Sequence, residues 1–150
     1  MGQININMNF KSILLGFLAG PLLASLAGNI NVYLGITIIS KLFLTLSAAD
    51  KWITGYFLVS HFLIDAGFAL LGGYTAGRIA KQNEYLHAVV VCILGVLANI
   101  GIITISLQYF KFPIMETIIT IIKLLFTTMP YAMVGAYLAR MKNLKALVAN

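Results

Sequence analysis

Charge is what this sequence has least of. Its 150 residues hold four acidic and ten basic side chains, 9% charged in all against 61% hydrophobic, where ordinary soluble domains carry about a quarter charged residues. That shortage excludes a water-exposed globular surface. A single cysteine, Cys92, set in an apolar run, excludes an internal disulfide and any Cys-rich metal cluster. It reads as a small buried hydrophobe. The two histidines, His61 and His87, lie on different runs at no ligand spacing, and His87 sits where an interfacial position is expected. There is no HExxH and no GxSxG, and GGYTAG at 72–77 lacks the Lys-Ser/Thr pair of a phosphate loop. These absences point to a non-enzymatic chain that needs no metal and no cofactor.

What is present in abundance is oil. Apolar runs of about 20 residues recur, each long enough to cross roughly 30 Å of hydrocarbon. They are too long and too uniform for a β-barrel. The expectation is one all-α domain over 1–150, an integral membrane bundle of four transmembrane helices at about 10–28, 53–78, 86–108 and 113–141. SILLGFLAGPLLASLAG mimics a signal peptide, but only Lys11 precedes it, so it is expected to be retained. Pro21 and Pro130 predict kinks, and Pro113 suits a first helical turn. A soft break is expected at Gly28–Asn31 and a boundary at Ala48–Trp52. Between them, 29–52 reads as an outer-side amphipathic segment, with Thr37, Ser40, Lys41 and Thr45 on one face. Its part 32–47 fits an interfacial helix, a continuation of the first helix, or a short fifth span.

The scarce charges are ordered. Lys11, Arg78, Lys81, Arg140, Lys142 and Lys145 fall on one side of the four-span arrangement, opposed there by Glu84. Lys41, Lys51 and Lys111 fall on the other, with Asp50 and Glu116. The positive-inside rule then puts both termini in the cytoplasm, with Arg78, Lys81, Arg140 and Lys142 as topology anchors. The net charge of +6 is explained by the bilayer as partner, not by nucleic acid.

Small residues stand at four-residue spacing: Gly16 with Gly20, Gly73 with Gly77, and further Gly95 and Gly135. Such spacing lets helix backbones approach closely, within one chain, toward a second copy, or toward another membrane subunit. Against this background a few polar side chains stand out. Counting helical rise from the outer ends of the spans puts Asp65 about 18 Å deep, Lys123 about 15 Å and Asn99 about 12 Å. His61 lies one turn outward of Asp65, and Glu116 shares a face with Lys123. Asp65, His61, Asn99, Lys123 and Glu116 thus form an intramembrane polar layer. It reads either as an Asp65–Lys123 pair fixing helix register or as a site for a proton, an ion or a small solute.

Two functions follow. One is a non-enzymatic membrane protein acting through helix association, as homo-oligomer or accessory subunit. The other is a small transporter or channel-like protein using the polar layer. An inward-facing layer around a cavity favours transport; a closed layer, with the Gly73/Gly77 face open to lipid, favours association.

The stretches GGYTAGRIAKQNEYLHAVVVCILGVLANI (72–100) and MVGAYLARMK (133–142) share a repeat, Gly73 to Arg78 and Gly135 to Arg140, each a glycine, four small or oily residues and an arginine. They resemble small four-helix bacterial inner-membrane proteins of unknown function, whose second helix ends in Gly-Gly-aromatic-x-Ala-x-Arg. The resemblance implies the fold class and an inner-membrane location. It implies no activity and no site residues.

Overall fold

The computed structural model describes residues 8–42, 46–110 and 114–148, and all of its elements are helical. Helix α1, Phe10–Phe17, starts where the Asn9 side chain accepts the Ser12 N–H at 3.3 Å, the chemistry an N-cap requires. Pro21 has no N–H, and its ring collides with the carbonyl four residues back. The helix answers by widening into a π turn over Leu18–Leu22 and then resumes as α2, Leu23–Leu42. The expected break at Gly28–Asn31 does not occur. Asn29 donates its amide to the Ser25 carbonyl at 2.9 Å, and Asn31 is tied to Ser60 at 2.8 Å and to Tyr56. Residues 32–42 therefore continue the first rod.

Helix α3, Leu46–Ala80, begins before the boundary expected at Ala48–Trp52 and runs for 35 residues. It ends in a tight turn in which Lys81 and Asn83 take left-handed backbone angles, φ 57° and 52°. Helix α4 follows as Glu84–Phe110, and α5 as Ile114–Val148. Helix α5 passes through Pro130 and overruns the end expected near Met141; Pro113 and Lys111 lie outside the described residues. Two stretches, Phe10–Ile38 and Thr54–Ala80, are long and apolar enough to cross a membrane, while the described apolar part of α4, Glu84–Ile100, is shorter.

The rods pack through backbone. The first rod lies antiparallel along α3, with the Ser12 hydroxyl donating to the Ala76 carbonyl at 2.5 Å at one end and Gly35 against Tyr56 and Phe57 at the other. Between these points Gly16 and Gly20 abut Gly72. Helices α3 and α5 run parallel and cross where Gly73 meets Ala132 and Gly135 meets Leu70 and Tyr74. A methyl group on Gly73 would lie 2.0 Å from the Ala132 carbonyl oxygen, and one on Gly135 2.1 Å from that of Leu70. Thus the two repeat glycines both serve this crossing. Helix α4 closes the bundle through Ala88 and Cys92 against Ala132 and Ala136, and through Val91 against Ile13 and Ala76. This core of small side chains gathers toward the Lys81–Asn83 turn, here called the turn end; the opposite end is the far end.

Candidate functional site: a cavity between the rods

Pro21 decides where the bundle opens. Its ring rests on Gly95, where a methyl group would come within 2.6 Å of the proline Cγ. Up to that contact, α1 and the π turn pack on α4; beyond it, α2 keeps to α3, and among the described residues it does not approach α4. The wedge left between α2 and α4 is a cavity of about 360 Å³, lined also by residues of α3 and by Thr128 of α5. A volume of this order suits a small organic molecule.

Three residues of the expected polar layer line this cavity together: His61 and Asp65 from α3, and Asn99 from α4. Helical geometry places His61 and Asp65 one above the other on one face, and a methyl group added to Gly28 would lie 3.8 Å from the His61 ring. The other two, Lys123 and Glu116, belong to α5, and their side chains lie outside the described residues.

The opposite wall was not singled out from sequence. Ser25 and Asn29 of the first rod line the cavity as well. Asn29 and Asn99 each donate one amide N–H to their own helix, to the Ser25 and Gly95 carbonyls at 2.9 Å. Each keeps a second N–H and an amide oxygen for other partners. With the Asp65 carboxylate, the lining thus offers oxygen acceptors beside amide donors. Cys92 also lines the cavity, hydrogen-bonded with Thr128.

A second set of buried polar groups seals the turn end. His87 is 0% exposed rather than interfacial. Its Nε2 accepts the Asn9 N–H at 2.9 Å and its Nδ1 faces the Asn83 carbonyl at 3.0 Å, so its partners assign the proton to Nδ1. Asn143 donates to the Gly77 carbonyl at 3.2 Å and to Glu84 at 3.4 Å, and accepts from Arg78. Glu84 is buried at the start of α4, not part of an open turn. Two of the expected anchors, Arg140 and Lys142, lie 5.8 Å from the ring centres of Tyr85 and Tyr74, while Lys81 is exposed at the turn. Polar residues beside a helix end carry no sequence signal that separates such a hub from a solvated surface.

The glycines expected to serve helix packing, Gly16, Gly20, Gly73, Gly77, Gly95 and Gly135, all face neighbouring helices of the same chain. Among the described residues, no group of three or more His, Cys, Asp and Glu side chains converges as a metal site would require. No family, curated protein or solved structure matches this chain. The cavity walls are therefore the basis for a functional reading.

Proposed function

We propose that this chain is a multi-pass membrane protein that holds a small, positively charged or donor-rich solute in the cavity, as a carrier or channel-like protein. The turn end faces the cytoplasm of a bacterial inner membrane. One observation carries the reading: Asp65, His61 and Asn99 line one cavity between the rods, and two of the helices that flank it, the first rod and α3, are long and apolar enough to span a membrane. A lone carboxylate in hydrocarbon costs about 2.5–3.5 kcal/mol on insertion scales, so it is kept where it meets a partner or a wetted path. Amide and hydroxyl oxygens around it suit a cation or an amine.

Helix association is the second reading. Its small-residue faces are used within the chain, which leaves the α2–α4 wedge as the place where a second copy or another subunit would insert a helix.

Cys92, the sole thiol, reports on both. In liposomes its modification by methyl methanethiosulfonate should slow at least tenfold with ethylammonium or tetramethylammonium, and Asp65→Asn should abolish that protection while the protein stays folded. Slowing that follows protein density instead of solute means the wedge holds another copy. If neither occurs, the cavity is structural and the proposal fails.

A further inference from the structure

We infer that the solute of the cavity is an amphipathic amine, an ammonium head carrying a short alkyl chain, seated with its chain toward the turn end. This rests on the reading of the cavity as a solute site and names its occupant. Along three helices the lining changes character in the same direction. On the first rod Pro21 and Ala24 precede Ser25 and Asn29, and on α4 Val91, Cys92 and Val96 precede Asn99. On α3, Ala69 stands on the turn-end side of Asp65 and His61. The first rod and α4 both start at the turn end, where Asn9 meets His87, and α3 finishes there. The inner half of the cavity, nearer the turn end, is therefore apolar, and the outer half is polar. Val32, 37% exposed, is the apolar residue at the outer lip. Thr128 meets the inner half with its hydroxyl already engaged by Cys92.

That division selects among solutes. A calcium-like ion asks for about 6–8 oxygen ligands, whereas Asp65 is the sole acidic residue in the lining. A wholly polar solute would turn groups toward Val91 and Val96 that find no hydrogen-bond partner there, at the cost of their hydration. An alkylammonium satisfies both halves. Its head is a donor only, and the Asp65 carboxylate with the amide oxygens of Asn29 and Asn99 can accept from it. Its chain takes the place of water against the inner wall. The depth sets the length of that chain. Pro21 lies one turn below Ser25, about 6 Å along the helix, and its contact with Gly95 closes the floor. A butyl chain fills that depth.

Cys92 belongs to the apolar half, so the chain of a bound amine would cover its thiol. The test uses the full protein in liposomes and a series from methylammonium to hexylammonium, reading the concentration that halves the rate of Cys92 modification by methyl methanethiosulfonate. That concentration should fall about fourfold with each methylene up to butylammonium, about sixtyfold in all, the gain of a buried CH₂. It should level off by hexylammonium, whose chain the floor keeps out. Ala24→Leu, which fills the inner half from the first rod, should erase the gain, and so should Ala69→Leu from α3. Partition into the bilayer would instead keep improving protection up to hexylammonium and ignore both substitutions. A steady rise to hexylammonium, or a gain unaltered in both variants, overturns the inference. So does a flat series with protection retained, which would leave a cavity that reads charge alone. Absence of protection by every member would remove the solute reading beneath it.

Discussion

At the scale of single residues, the most consequential side chain is one that sequence gave no reason to name. Asn143 bridges the end of α3, the start of α4 and α5, donating to the Gly77 carbonyl and Glu84 and accepting from Arg78. Replacing it with leucine keeps the volume and leaves buried Glu84 without that donor. An orphaned buried polar group costs about 1–3 kcal/mol, more when charged, so Asn143→Leu should destabilise by about 3 kcal/mol. Chemical denaturation in detergent measures this, and Glu84→Gln added to the same background should restore part of the loss. A single-variant effect below about 0.5 kcal/mol would mean that the hub holds nothing together. Asp65 stands out in the sequence because a carboxylate in an apolar run needs either a partner that fixes helix register or a wetted path. Asn143, His87 and Ser12 do not, because polar residues near helix ends look solvated until another helix is laid over them.

The elements are governed by how closely their backbones approach. Four-residue glycine spacing could be read from sequence as a packing signal, but not which helix each glycine would meet. That depends on the crossing geometry, here the parallel meeting of α3 and α5 at Gly73, Ala132 and Gly135. The same limit explains the misread break at Gly28–Asn31. Glycine and asparagine are turn formers by local propensity, and the Ser60 and Tyr56 partners on α3 overrule that preference. The contrast within α3 is testable. Gly73→Ala drives a methyl group to 2.0 Å from a backbone oxygen, whereas Gly67 has nothing within 4 Å of its added methyl. Backbone cannot move aside as a side chain can, so Gly73→Ala should cost about 3 kcal/mol. Gly67→Ala should leave stability unchanged or raise it by up to about 1 kcal/mol through helix propensity. Thermal unfolding of the two variants side by side measures the difference. Equal behaviour would show that the α3–α5 crossing is looser than its geometry.

For the whole molecule, the decisive feature is the difference between its ends. The turn end is drawn shut by glycine contacts and by the buried polar hub. The rods part beyond Pro21 and Gly95, so the cavity wall at Asn29 lies on the far-end side of that seal. Under the proposed topology the far end faces away from the cytoplasm, and water reaches Asn29 from outside only. Single thiols placed in a Cys92→Ser background separate the alternatives. A membrane-impermeant maleimide added outside intact cells should label Lys41→Cys, which is exposed near the end of α2, and more slowly Asn29→Cys. It should spare Gln82→Cys in the exposed turn until the cells are opened. Labelling of residue 82 in place of 41 would invert the chain. Labelling of 41 but never of 29 would leave the topology intact and make the cavity a dry one, closed to any solute that arrives from water. Only labelling at both 41 and 29, with 82 protected, gives Asp65 the wetted approach on which its proposed role depends.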